Sequence, residues 1–282
     1  MKFLLLLFVI IFSANAQARI LYQDPTGDDL NSAIARLSEE DVKDVSFSGS
    51  AKGKFLLGLF YVNGASEFGV EKNCQKAVSS LREALAAGIT DAGYTLATMY
   101  YNGVCEEKNI DESRSLAAQA ARDGYILAQR MLGQAYLGEK WDGLYSYDVD
   151  KGVFWLGEAG DAGDRESSAR LAGMYYDGEK VAKSEVKYFE WLKKATSSKY
   201  NNGNGLGFMA MAKCYEHGKG VEVDLVQAYK YYDLSGSAGA EGKRRIAQEM
   251  TQDQIDEAVR ESQAWQEDHN VQVGGGFIRR VE

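Results

Sequence analysis

The chain has 282 residues, 45% hydrophobic and 26% charged, with 41 acidic against 32 basic side chains and a formal net charge of −9. An acidic balance of this size argues against nucleic acid and anionic lipid surfaces as partners, because their phosphates would be repelled. The length suffices for a large buried core, and the single proline, Pro25, leaves nearly all the chain free to be helical.

At the start, Lys2 precedes an unbroken apolar run from Phe3 to Phe12, and Ala14-Asn15-Ala16 follows. A cation, a short apolar stretch and a small-x-small site are the parts of a secretory signal, so residues 1–16 are expected to be removed after Ala16. The run is too short to make a convincing membrane span. No second apolar segment follows, and no cysteine stands at the cleavage point to carry a lipid. The expectation is an exported, periplasmic protein of a Gram-negative cell, with no integral membrane segment after cleavage.

Residues 17–50 read as an N-terminal cap. After Asp28-Asp29, the residues Leu30, Ile34 and Leu37 form one apolar stripe at helical spacing. Residues 51–240 then repeat five times. Tyr61, Tyr100, Tyr136, Tyr175 and Tyr215 fall 36 to 40 residues apart. Eight residues before each stands a small residue: Gly53, Ala92, Ala128, Ser167, Gly207. Four before stands Leu57, Leu96, Leu132, Leu171 or Met211, and three before stands Gly58, Ala97, Gly133, Ala172 or Ala212. A period of this length marks an α-solenoid.

Each copy continues into a second helix. Asn73, Asn109, Asp148, Ser184 and Asp224 mark its start, all of the type whose side chain accepts from a free first-turn amide. Seven residues on come Ser80, Leu116, Trp155, Trp191 and Tyr231; eleven on come Ala84, Ala120, Ala159, Ala195 and Ser235. Large and small residues at this spacing let paired helices interlock. Gly88, Gly124, Gly163 and Gly239 close four copies as helix stops.

With Tyr215, Gly218, Gly220, Val221, Asp224, Ala228, Tyr231 and Gly239 in its last copy, the pattern resembles the Sel-1-like repeat family, relatives of tetratricopeptide repeats. The resemblance implies an all-α, right-handed superhelical solenoid of about five helix pairs, closed by caps at both ends. Two copies depart from the pattern. The third has a longer aromatic loop, Trp141 to Tyr147, and the fourth ends in Ser197-Ser198 and a polar insert, Lys199 to Gly205. Ligand-specific loops and simple drift are both open readings of these departures.

Three cysteines in an exported chain invite pairing. Cys214 shares its repeat position with Phe60, Met99 and Met174 and is expected to be a buried free thiol. Cys74 opens the second helix of repeat one and Cys105 lies in the loop of repeat two. If loops of neighbouring repeats stack along one edge, a Cys74–Cys105 disulfide is a candidate. Beyond the repeats, residues 241–270 read as a C-terminal capping helix. Thr251 with Gln254 forms a capping-box pattern there, and Ile255, Val259 and Trp265 make an apolar face. The glycine-rich end, 271–282, is expected to be a flexible tail.

In the first helix of each repeat, offsets +2, +6 and +9 from the small residue point away from the packed side. The resemblance places that free side on a concave surface. The row comprises Phe55, Tyr94, Arg130, Ala169 and Met209, then Leu59, Thr98, Gln134, Gly173 and Lys213, then Val62, Tyr101, Leu137, Tyr176 and Glu216. It is aromatic and aliphatic with few charges, as an interaction site is. Phe55, Leu59 and Val62 are also placed to pack under the N-terminal cap. The candidate partner-binding residues are Tyr94, Thr98, Tyr101, Arg130, Gln134, Leu137, Tyr176 and Met209.

Catalytic patterns are missing from the sequence. His217 and His269 have no Cys or carboxylate at metal-ligand spacing, and no nucleophile elbow, phosphate loop or zinc-protease motif occurs. No cofactor and no metal are expected. The reading is a non-catalytic protein-binding module with another protein in its groove. The resemblance implies one concrete use, since some exported Sel-1-like proteins serve as immunity proteins that neutralise a toxic effector such as a phospholipase. Envelope-assembly or secretion adaptors are the alternative. A β-lactam-binding or hydrolysing enzyme, as among cysteine-rich relatives, stands third because no nucleophile–base pair is visible.

Overall fold

The computed structural model describes residues 17–200, 207–269, 271–274 and 277–280. The expected signal segment, 1–16, lies outside the described residues, as does the polar insert from 201 onward. Three short helices, α1 (Asp28–Ala35), α2 (Glu39–Lys43) and α3 (Val45–Gly49), precede the repeats. The repeats are the pairs α4 (Ala51–Asn63) with α5 (Cys74–Ala86), α6 (Thr90–Asn102) with α7 (Ile110–Arg122), α8 (Ile126–Tyr136) with α9 (Val149–Asp161), α10 (Arg165–Asp177) with α11 (Glu185–Thr196), and α12 (Phe208–His217) with α13 (Leu225–Leu234). Two more, α14 (Ala240–Ile246) and α15 (Gln252–Asp268), follow. The protein is an all-α repeat solenoid.

Local chemistry fixes each pair. Every second helix is capped as its sequence demands: Asn73, Asn109, Asp148, Ser184 and Asp224 each accept the amide three residues on. A cap of this kind stabilises a helix by about 1 kcal/mol. The amide of each capping residue donates in turn to the carbonyl of the repeat tyrosine, at 2.8 to 3.0 Å for Tyr61, Tyr100, Tyr136, Tyr175 and Tyr215. That bond ties the loop's end to the end of the first helix. In three repeats a lysine from the second helix also lies over the tyrosine ring: Lys76 on Tyr61, Lys151 on Tyr136 and Lys187 on Tyr175. The tyrosine thus closes its own repeat.

In three of the five pairs packing follows a size exchange one residue beyond the position expected from sequence. A Cβ on Gly58 would lie 2.6 Å from Leu81, and one on Gly133 2.6 Å from Leu156. Where the first helix carries Ala97 instead, the buried residue at the matching place is Ala117. A gap left beside a glycine would forfeit dispersion contacts, so leucine fills it. Gly88, Gly124 and Gly163 hold the left-handed conformation between repeats. Gly239 does not: its φ is −84°, within a 3-10 turn, so the expected left-handed stop is corrected. Glycine is needed there because a Cβ would sit 1.8 Å from the carbonyl oxygen of Tyr232.

Both ends are closed. Leu30, Ile34 and Leu37 pack with Phe47 on the cluster that contains Phe55, Leu56 and Phe60, and Leu59 and Val62 join it from the free row. At the other end Thr251 and Gln254 form a capping box, and Trp265 sets its ring edge-on to Phe208 at 5.0 Å. Part of the glycine-rich end is paired. Val271–Gly274 and Phe277–Arg280 form an antiparallel hairpin, and the amide of Val273 donates to Gln266 on α15 at 2.7 Å. Alternating β-branched residues on a buried Val271 favour the strand.

Candidate functional site

The free row of the first helices is not the uniform apolar face its composition suggested. Phe55 is 3% exposed beneath the cap. Leu137 is 2% exposed, packed against α9, and a Cβ on Gly152 would meet it at 2.6 Å. Its placement in a partner-binding row is therefore corrected: Leu137 keeps the helical backbone at the end of α8, but Leu156 of α9 and Leu171 and Met174 of α10 pack over it and take it into the core. Met209 is half-buried against the last repeat's cluster. Tyr94 is half-buried too, edge-on to Tyr125 at 5.3 Å, and Thr98 turns its hydroxyl back to the carbonyl of Thr95. Tyr176 is open, 53% exposed, with Lys183 over its ring and Tyr188 at 5.1 Å.

Tyr101 serves the long loop of repeat three. Trp141 lies edge-on to its ring at 5.1 Å, and its hydroxyl donates to the carbonyl of Asp142 at 3.1 Å. The loop is built into the core. Leu144 is fully buried, Arg114 donates to its carbonyl at 2.7 Å, and Tyr145 stacks on Tyr136 at 4.3 Å. Trp141 holds a left-handed backbone, uncommon for a bulky residue, and its indole nitrogen is buried without a partner.

Between α8 and α10 the row becomes ionic. Arg130 donates to Asp164 at 3.1 Å and to Glu166 at 2.8 Å, Gln134 donates to Glu166 at 2.9 Å, and Lys140 reaches the same carboxylate at 3.7 Å. Beside them Glu139 holds both Arg170 and Lys180. Arg130, Gln134, Glu139, Lys140, Glu166 and Arg170 line a cleft of about 420 Å³. Burial pushes the carboxyl of Asp164 above its ordinary range and outweighs the opposing pull of Arg130 and the Ser167 bonds. At Glu139 burial also acts upward, but the donors Arg170 and Lys180 together prevail and hold the carboxyl below its usual value. The row's offsets could not show this, because Glu166 and Arg170 come from the neighbouring repeat at other offsets.

Elsewhere the reactive side chains are occupied. Cys74 and Cys105 are joined by a disulfide. Cys214 is buried, and its thiol is pushed up to about 11 by desolvation, which leaves it protonated and unreactive. His269 stacks on Trp265 at 4.0 Å, and Glu216 binds Tyr232 and Arg245. Among the described residues no three His, Cys, Asp or Glu side chains converge as a metal site, and no helix is long and apolar enough to cross a membrane.

A model of the Sel1 repeat matches residues 51–88, 91–125, 126–164, 165–200 and 206–239, which is more than half the chain and follows the five helix pairs. The chain belongs to the Sel1 repeat family. Sel1 repeats mediate protein–protein interaction, so a protein partner is the general expectation for this solenoid. The chain is 30% identical over 159 residues to the chitin synthase regulator SKT5 of Saccharomyces cerevisiae, covering 55% of this chain and 22% of that protein. It therefore spans under a quarter of that curated relative. Among solved Sel1 structures, one from Oxalobacter formigenes aligns at a TM-score of 0.48 and 23% identity, covering 74% of this chain and 56% of the other. The immunity protein Pa5087 of Pseudomonas aeruginosa aligns at 0.44 and 19% identity, covering 78% and 85%. These likenesses concern the repeat architecture alone.

Proposed function

We propose that the protein is a periplasmic, non-catalytic binding module that neutralises a toxic effector, seating it on the free row of repeats two to four. The contact residues in this reading are Tyr94, Thr98, Arg130, Gln134 and Tyr176, with Glu166, Lys140 and Arg170 as the ionic rim. The observation that carries it is the cleft between α8 and α10, where charged groups converge, with the exposed ring of Tyr176 on the same row. Aromatic and arginine anchors inside a polar rim are the usual chemistry of a protein hot spot. The leader sequence and the acidic balance fit export and a basic partner surface. Tyr101 and Leu137 support the site from behind rather than touch the partner.

The test is capture of partners from periplasmic extract and from the products of neighbouring genes, followed by binding of variants. Tyr176→Ala with Lys140→Glu should weaken the captured partner at least about tenfold, mainly through faster dissociation, while far-ultraviolet circular dichroism stays helical. Phe154→Ala, at an exposed position of α9, should leave binding unchanged. Unchanged binding by the first variant sinks the site assignment. Capture of an envelope-assembly component in place of a toxin moves the protein to the adaptor class.

A further inference from the structure

Ahead of α1 the chain runs extended along the turn between the first two repeats. The amide of Arg19 donates to the carbonyl of Gly88 at 2.8 Å, and the amide of Thr90 returns a bond to the carbonyl of Arg19 at 3.1 Å. Arg19 and Ile89 thus form a parallel β-bridge. The next two donors, the amides of Leu21 and Tyr22, each meet an oxygen of the Asp91 carboxylate at 2.9 Å. Asp91 is 1% exposed at the start of α6. A buried carboxylate needs donors to offset its desolvation, and here main-chain N–H groups supply them. Gln23 then reaches the carbonyl of Gly124, the counterpart of Gly88 one repeat along, at 2.8 Å.

The side chains of this strand fit less well than its backbone. Ile20 packs in the cluster of Tyr94 and Tyr125, and Tyr22 lies against Phe55 with ring centres 6.0 Å apart. Yet the hydroxyl of Tyr22 and the side-chain oxygen of Gln23 are buried without hydrogen-bond partners. A buried polar atom without a partner carries its full desolvation cost. A Phe in place of Tyr22 would keep the ring contact and remove that cost.

We infer that the turn between repeats one and two, with the Asp91 carboxylate, is a binding site for an extended apolar peptide strand, and that residues 19–23 occupy it in cis. The site recognises main-chain amides, so it selects extended conformation, and the apolar neighbours of Ile20 and Tyr22 select apolar side chains at those two places rather than one sequence. Its occupant from a partner is an apolar extended segment that displaces the chain's own strand and continues toward Tyr94. This concerns the covered end of the row and stands whether or not the partner is a toxin.

The test uses the whole chain. Leu21→Pro with Tyr22→Pro removes both amide donors and vacates the site. A fluorescent peptide with the sequence of residues 17–27, carrying Phe at the place of Tyr22, should bind this variant at least tenfold more tightly than it binds the wild-type chain. Adding Asp91→Ala should abolish that binding, and a peptide with Asp at the places of Ile20 and Tyr22 should not bind. A vacated chain that stays helical and shows no saturable binding overturns the inference. Should the proline variant lose its helical signal, hydrogen exchange on the wild-type chain decides. The amides of Leu21 and Tyr22 should be protected and should lose protection in excess peptide; protection that the peptide leaves untouched overturns the inference equally.

Discussion

Repeats one and two and repeats three and four carry the same row of free first-helix positions, but they are finished in different ways. In the first two, the chain supplies its own cover. The cap helices bury Phe55, the strand at 19–23 lies along Ile89 and Asp91, and a disulfide ties the second helix of repeat one to the loop of repeat two. In the next two, no cap helix is available, and the row is closed by charge: Arg130 and Gln134 on repeat three meet Asp164 and Glu166 on repeat four. The two buried aspartates make the contrast plain. Asp91 is satisfied by main-chain amides of a segment outside the repeats, Asp164 by Ser167 of its own helix and a cation from the preceding repeat. Apolar cover hides a surface, whereas an ion-paired cleft leaves polar groups that a partner can engage at low reorganisation cost.

The largest expected effect tests how far the first half depends on its covalent tie. Cys74→Ser with Cys105→Ser frees a loop of 31 residues' separation and should cost roughly 3–4 kcal/mol in a urea melt, unless the cap alone holds the two repeats together. Arg130→Ala tests the ionic half. It strips the cation from a carboxylate whose side chain is 2% exposed, and should cost about 3 kcal/mol at neutral pH. The sign of its pH dependence follows from Asp164. Its carboxyl titrates above the ordinary value in the folded state, so it adds stability as the pH falls and gives it up as the pH rises through that folded-state value. The deficit of Arg130→Ala should therefore shrink between pH ~7 and pH ~4, where a protonated Asp164 needs no cation. A deficit that grows on acidification would show that Arg130 acts through something other than Asp164. The smallest effect belongs to Glu166→Gln. This carboxylate is half exposed, so its loss should cost under about 1 kcal/mol in stability while still altering partner affinity.

The repeat period, the five helix pairs, the caps on the second helices, the capping box at Thr251 and the position of Cys214 could all be read from the sequence. Each depends on local spacing: a side chain that accepts an amide three residues away, or an apolar residue recurring on one helix face. The pairing of Cys74 with Cys105 was a candidate that the geometry of adjacent loops then joined. The candidate site was legible only as a row of positions. Tyr94, Thr98, Arg130, Gln134 and Tyr176 stand on the free side, but Leu137 is covered by the neighbouring helices and Tyr101 is taken by Trp141.

What the sequence determined by itself was therefore the periodic part of this protein, because short-range geometry repeats with the residues that cause it. What only the tertiary structure decided was which free positions stay free. The strand at 19–23 finds Asp91 some 70 residues away, the loop at Trp141 returns to Tyr101, and Glu166 reaches back 36 residues to Arg130. Contacts at such separations have no fixed spacing to betray them, and they exist only once the repeats have stacked and brought their edges within bonding distance.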